Sequence, residues 1–287
     1  MSDVTISFEF FPPRTLAAEG QFWSTLAKLE RHEPDFASVT YGAGGSSHVE
    51  TLEVLERVTR KTSIPMVGHL TCVGQSREET NRVIHAYKDA GVKGIVALRG
   101  DMPEPDMTYE PHPDGYRDTP ELVAAIKEIG DFDVSVSAYP EPHPDSPDTA
   151  HDLELLKRKV DAGADRALTQ FCFENGRIVS LRDEAAAAGI DVPIVPGVLP
   201  VTNLKGTARM ARRCGASIPQ WLADRYEGVE DDPQVSRMLA AVIASEQVKF
   251  LHDEGFDQFH LYTLNRPEIA TTICQLLGVT PATEIAA

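Results

Sequence analysis

The stretch ISFEFFPPR, residues 6–14, sets a carboxylate inside an apolar strand: Glu9 stands among Ile6, Phe8, Phe10 and Phe11, just ahead of two prolines. An ionised group is costly to bury without a partner. Side chains of a strand alternate between its two faces. If Ile6, Phe8 and Phe10 pack beneath helices, Ser7 and Glu9 point the other way. A sheet covered by helices on one face, with polar groups gathered on the other, is what a β/α barrel offers at its mouth.

The rest of the chain repeats that arrangement. Apolar runs rich in β-branched residues recur at 4–11, 36–41, 65–71, 94–99, 134–139, 166–173, 193–199 and 258–264, eight in all. Between them apolar residues fall at helical spacing, as in Phe22, Leu26 and Leu29, or Leu153, Leu156 and Val160. Alternation of strand and helix implies right-handed crossovers and a parallel sheet. Eight units and a final helix near 267–277 predict a single eight-stranded parallel β/α (TIM) barrel over residues 1–287. Residues 217–255 insert extra helix between the seventh and eighth strands. The loop DMPEPDMTYEPHPDGYRD, 101–118, is long enough to suggest a function.

Composition excludes several classes of partner. With 44 acidic against 27 basic residues the formal charge is -17, which opposes nucleic acid and anionic membrane. Cys72, Cys172, Cys214 and Cys274 show no paired spacing and read as reduced thiols of a cytoplasmic protein. The start, MSDVTISFEF, lacks a leader pattern, and no apolar run is long enough to span a membrane. HExxH, paired-cysteine and Walker signatures are missing, so no metal is expected. In YGAGGSS, between a strand and a helix, Ser47 stands where a dinucleotide fingerprint needs its third glycine.

Sorted by parity, the fourth strand turns Val96 and Leu98 outward and Ala97, Arg99 and Asp101 inward. The fifth turns Ser135, Ser137 and Tyr139 inward, and other strands add Ser38, Thr40, Val67, His69 and Gln170. With Glu9 and Arg266, the polar members converge at the C-terminal strand ends, where barrel enzymes build their sites. Each has a plainer reading that stays open: His69 as a hydrogen-bonded core histidine, Arg99 and Asp101 as a rim ion pair, Thr40 and Gln170 as partners of loop backbone. Lys157, Arg158 and Lys159 form either a solvated helix face or an anion contact.

The motifs SFEFFPPRT, SVTYGA, GHLTC, IVALRGD, SAYPEPHP, LKRKVDAGADRALTQF, PGVLPVTN and YTLNRPE run in order over nearly the whole chain. Together they resemble the bacterial methylenetetrahydrofolate reductases. The resemblance implies FAD at the barrel mouth, NADH or NADPH as electron source, and reduction of 5,10-methylenetetrahydrofolate to 5-methyltetrahydrofolate. It also implies a homo-oligomer without a C-terminal regulatory domain. Carried over by position, Glu9 would be the general acid that opens the folate ring. That role asks for a partly protonated carboxyl, expected from an apolar setting between Phe8, Phe10 and the flavin. Asp101 would lie beside the flavin and the pterin. Gln170 would serve both nicotinamide and folate, Arg266 the folate tail and Thr40 the nicotinamide. FAD would be held by Tyr41, Ala43, His69, Arg99, Gly100, Tyr139, His143, Asp152, Arg158 and Lys159, with Tyr116 and Arg117 from the long loop. Gly206 and Leu155 depart from the family pattern, standing where relatives carry a glutamine and a polar flavin neighbour. Two readings from other classes are a flavin-independent pterin-binding barrel that transfers a methyl unit, and a non-enzymatic folate-binding protein.

Overall fold

Strands and helices alternate along the chain as β1 (Thr5–Phe10), α1 (Leu16–Glu30), β2 (Phe36–Val39), α2 (His48–Lys61), β3 (Met66–Thr71), α3 (Arg77–Asp89), β4 (Gly94–Leu98), α4 (Thr119–Ile129), β5 (Asp133–Ala138), α5 (Thr149–Asp161), β6 (Arg166–Thr169), α6 (Asn175–Ala187), β7 (Ile194–Val195) and β8 (Gly197–Val198). There follow α7 (Leu204–Cys214), α8 (Gln220–Tyr226), α9 (Pro233–Asp253), β9 (Gln258–Tyr262) and α10 (Pro267–Leu276). This computed structural model describes residues 4–41, 48–102, 109–229 and 231–281.

All strand pairs are parallel, in the order β7-β6-β5-β4-β3-β2-β1-β9-β8. The sheet thus has nine strands rather than the eight expected. Pro196 is the cause: it has no amide hydrogen to give a ladder, and it divides the seventh apolar run into β7, paired with β6, and β8, paired with β9. The two ends of the sheet are therefore joined by one residue. Pro196 O accepts from His260 N at 2.9 Å. Gly197 N donates to Thr169 Oγ1 at 2.9 Å, and Tyr262 Oη donates to Thr169 O at 3.0 Å. Backbone and side chains together close the sheet into a nearly complete barrel. The insertion expected over 217–255 holds α8 and α9, which follow α7 before β9.

Two apolar layers flank the sheet. Outside it, Ile6, Phe8, Phe10, Ile95, Ala97, Val134 and Val136 pack with helix residues such as Phe22, Leu26, Leu29 and Leu55. Inside it, Phe36, Val67, Val96, Leu168 and Val195 form a smaller layer with Leu98 against it. The expected parity is right for β1, β3 and β5 and inverted for β4, where Val96 and Leu98 face inward. Reading Arg99 and Asp101 as strand residues produced the error. The strand ends at Leu98, and Gly100 turns the chain at φ +86. Below the inner layer Arg166 closes the floor, 2.5 Å from Asp133 Oδ2 and 4.8 Å above the Phe36 ring.

The seam leaves no room for a side chain at Gly197, where an added Cβ would lie 2.2 Å from Thr169 O and 2.7 Å from Tyr262 Oη. Gly197→Ala should lower stability by about 1–3 kcal/mol through overpacking. Gly176→Ala, with nothing within 4 Å of the new methyl, should leave it unchanged or slightly raised. Urea midpoints of the two variants check the contrast.

Candidate active site

Glu9 is the last but one residue of β1, at the mouth, and its main chain is held before its side chain acts. Thr263 N and Oγ1 both donate to Glu9 O, at 3.2 and 2.7 Å. The next step of the chain is clamped by Asn265, whose Oδ1 accepts from Phe11 N and whose Nδ2 donates to Phe11 O, both at 2.9 Å. This clasp needs Leu264 and Asn265 in the left-handed region, φ 52 and 54. Such a backbone costs about 1–3 kcal/mol per residue. The strain persists because Asn265 also accepts, through its carbonyl, from Thr25 Oγ1 at 2.9 Å.

The Glu9 side chain lies between two imidazoles. His69 Nε2 is 3.3 Å and His260 Nε2 3.5 Å from the same oxygen, Oε2, and all three residues are buried. His260 Nδ1 is 2.7 Å from Ser7 Oγ, and its ring stands edge-on to Tyr262 at 5.6 Å. Burial acts to raise the Glu9 carboxyl, but the hydrogen bonds and charges of His260 and His69 outweigh it and bring the group to about 2. This corrects the sequence expectation of a partly protonated acid in an apolar setting. Phe8 and Phe10 belong to the outer layer, and the carboxylate's neighbours are cationic when protonated. His260 and Ser7 escaped the sequence reading as site residues, although the parity of FHLY, with Phe259 and Leu261 outward, turns His260 and Tyr262 inward.

Around this cluster the structure gathers most of the other candidates. Thr40 follows β2 and is buried, Tyr41 Oη accepts from Gln75 Nε2 at 2.9 Å, and half-buried Gln170 follows β6 with Oε1 accepting from Phe171 N at 3.0 Å. Arg99 does not pair with Asp101. It pairs with Asp145 at 2.5 Å and lies 4.5 Å over the Tyr109 ring, while Asp101 is exposed. Tyr139 stands edge-on to His143 at 4.9 Å. Asp152 is spent on shaping that loop, accepting from His143 N at 2.8 Å and Ser146 Oγ at 2.5 Å. Burial first, then the Arg99 guanidinium, pushes the His143 imidazole down.

The three consecutive cations separate. Lys157 pairs with Asp161 on its own helix, and Arg158 pairs with Asp118, the N-cap of α4. Lys159 turns inward, 3 % exposed, and donates to Ser137 O at 2.8 Å; burial brings it down to about 8. Arg117 and Arg158 border an open cavity of about 420 Å³ with Asp118, Pro120, Glu121 and Ala124. Arg117 itself is exposed and paired with Glu121, and Tyr116 Oη donates to Asn81 Oδ1 at 2.7 Å. Arg266 is exposed at the start of α10, apart from the Glu9 cluster by three turn residues. Ala43 lies outside the described residues. Among the described residues no cluster is arranged to hold a metal ion, and no helix is long and apolar enough to cross a membrane.

Ser38 Oγ, opposite Glu9 in the ladder, and Thr40 Oγ1, two residues further on, are buried without hydrogen-bond partners. Such atoms in a folded interior ask for a partner that the chain does not supply. With Arg117, ahead of α4, and Arg158 and Lys159 of α5, they fit a planar, hydrogen-bonding cofactor that carries a phosphate tail.

The fold and the mouth define a β/α-barrel protein of the class whose polar C-terminal face is built to receive ligands. The profile of the methylenetetrahydrofolate reductase family matches residues 1–278, and the chain belongs to that family. It is 43 % identical over 278 residues to the 5,10-methylenetetrahydrofolate reductase of Pectobacterium carotovorum, covering 97 % of this chain and 91 % of that one. Identity to the Escherichia coli protein of the same name is 42 % over 282 residues, with 97 % and 92 % covered. A maize methylenetetrahydrofolate reductase (NADH) is 32 % identical, and the match spans 48 % of its length. Among solved structures, an uncharacterised Clostridium thermocellum protein that binds two copies of 5-methyl-5,6,7,8-tetrahydrofolic acid superposes with a TM-score of 0.65 at 14 % identity, covering 97 % of this chain and 96 % of that one, which is a likeness of fold.

A carboxyl lowered from 4.5 to about 2 stabilises the fold above its ordinary range, and the stabilisation is lost as pH falls from about 4.5 toward 2. The loss attributable to Glu9 should be on the order of 3 kcal/mol. Urea unfolding between those pH values should show a steeper decline in the parent protein than in Glu9→Gln.

Proposed function

We propose that the chain is a methylenetetrahydrofolate reductase, interconverting 5,10-methylenetetrahydrofolate and 5-methyltetrahydrofolate with FAD and NADH or NADPH. The observation that carries the reading is Glu9, a carboxylate buried at the mouth between two imidazoles in a chain that matches the family from residue 1 to 278. FAD, when bound, supplies a two-electron carrier between reduced nicotinamide and the folate. Tyr41, His69, Arg99, Gly100, Tyr139 and His143 would hold its ring end, Asp152 the loop that carries His143, and Arg117, Arg158 and Lys159 its diphosphate. An anion beside Lys159 favours the charged ammonium that burial opposes.

The chemistry required of the protein is a proton at the right nitrogen. Opening the methylene bridge leaves an electron pair on the departing ring nitrogen, which must be protonated as the C–N bond breaks, and the iminium carbon then accepts hydride. Glu9, held ionised at rest by its neighbours, would take up a proton and relay it to that nitrogen. Ser7, bonded to His260 Nδ1, fixes the ring so that Nε2 faces the carboxylate. Asp101, exposed at the rim, would meet the pterin and bias the flavin electrostatically, and Arg266 would take the folate carboxylates. Thr40 and Gln170 would serve the nicotinamide, and Gln170 the folate in turn, so that one mouth serves both half-reactions in a ping-pong order. The chain would act as one catalytic barrel in the cytoplasm and assemble as a homo-oligomer.

The purified protein should be yellow with a flavin spectrum. A colourless preparation that takes up no added FAD would favour a flavin-independent barrel. Glu9→Gln should leave flavin reduction by NADH within a few-fold of the parent and lower folate reduction by about 100-fold or more, the contribution expected of a positioned acid. Equal loss in both half-reactions, measured by stopped-flow absorbance, would remove Glu9 from its role.

A further inference from the structure

The loop between β5 and α5 buries a carboxylate, Glu141, which stands between Tyr139 and His143 in the chain. Among the described residues no lysine, arginine or histidine pairs with it. A buried carboxylate without a counterion is costly unless strong donors meet it. Ser217, the first residue of the insertion, supplies two. Its N donates to Glu141 Oε2 at 3.0 Å and its Oγ to Oε1 at 2.5 Å. Hydrogen bonds to an ionised acceptor are about twice as strong as neutral ones, and here both oxygens turn to one residue 76 positions away.

Other contacts press the same segments together. Gly215, the left-handed C-cap of α7 at φ 75, lies so close to the loop that an added Cβ would be 2.7 Å from Pro142 O and 2.9 Å from Pro144 Cδ. Glu141 also shares a hydrogen bond with Cys172, two residues past Gln170; burial first, then the Glu141 charge, pushes that thiol up to about 12. Gln247 of α9 holds the Cys172 main chain in turn, donating to its carbonyl at 2.7 Å and to Asn175 Oδ1 at 2.9 Å. From the α5 side the loop is pinned by Asp152, which accepts from His143 N and Ser146 Oγ, and from the end of β4 by Arg99, through Asp145. Glu141 ties it to the insertion.

We propose that Glu141 is a positioning residue for FAD: it latches the loop that carries Tyr139 and His143 to the insertion through Ser217, and so presents both side chains to the cofactor in a fixed arrangement. The proposal rests on the flavin reading of the mouth. A loop already held in its binding conformation need not be ordered when the ligand arrives, so the latch acts on affinity and residence time without touching the cofactor. It also gives the helices of 217–255, which lie apart from the Glu9 cluster in the chain, a part in holding the cofactor.

The test follows FAD release from the holoenzyme by flavin fluorescence, and amide hydrogen exchange of the peptide 139–148 in the cofactor-free protein. Ser217→Ala, at an exposed residue, keeps the amide donor and loses the hydroxyl. It should release FAD about tenfold faster, the loss expected of one hydrogen bond to a charged group, and exchange in 139–148 should speed up. Ser217→Thr, which keeps the hydroxyl, should return both readouts to within about twofold of the parent, since the same bond to the charged acceptor is kept. Glu141→Gln, with one acceptor oxygen for two donors, should release FAD at least as fast as Ser217→Ala. Tyr226→Phe removes a hydroxyl that donates to Val201 O at 2.6 Å within the insertion and leaves the latch alone. It should weaken the fold against urea while FAD release stays at the parent rate. A parent rate of release or of exchange in Ser217→Ala would overturn the latch, and so would a Tyr226→Phe protein that loses FAD as fast as Ser217→Ala. A parent protein that takes up no FAD would overturn the flavin reading, and the role of the latch in it, even with the exchange difference present.

Discussion

Closure of the barrel at Pro196 is the constraint on which the site depends. A residue without an amide hydrogen cannot continue a ladder on both sides, so the chain gives β7 to one neighbour and β8 to the other. Pro196 O and Thr169 Oγ1 then take the amides of His260 and Gly197. That register sets which residues of β9 turn inward. His260 pairs in the ladder with Ser7 on one side and Gly197 on the other, and its ring arrives at Glu9. A one-residue slip would send His260 to the helix face and leave Glu9 with one imidazole.

A buried carboxylate between two imidazoles behaves differently from one in an apolar pocket. Burial alone would protonate it; the hydrogen bonds and charges of the two rings outweigh burial and keep it ionised. The strained turn at Leu264 and Asn265 belongs to the same design. It ties the ends of β1 and β9 together and holds the main chain of Glu9, so the carboxylate cannot drift from its partners. The strain in that turn fixes the position of the carboxylate, and functional sites commonly carry strain of this kind.

Alternation of apolar runs and helical spacing was enough to read a parallel β/α barrel, because burial on the sheet's outer face forces a periodic sequence. The inward placement of Glu9, Thr40, His69 and Ser137 followed from parity in strands that run straight to their ends. Parity failed for β4, because nothing local marks where a strand stops before Arg99, and a glycine turn resets the direction of every later side chain. The division of the seventh strand was equally hidden. A proline at a sheet seam and a proline after a strand look alike until the neighbours are known.

The sequence by itself determined the barrel class, the family, the polar residues that reach the mouth and the strongly acidic net charge. Those properties are written in periodicity, composition and ordered motifs, all local or additive along the chain. Tertiary structure alone decided the charge state of Glu9, the pairing of Arg99 with Asp145 rather than Asp101, the separate fates of Lys157, Arg158 and Lys159, and the bond between Ser217 and the Glu141 carboxylate. Each of these depends on which side chains from distant strands and loops come within a few ångströms, and electrostatic interaction falls off with separation in space, not in sequence.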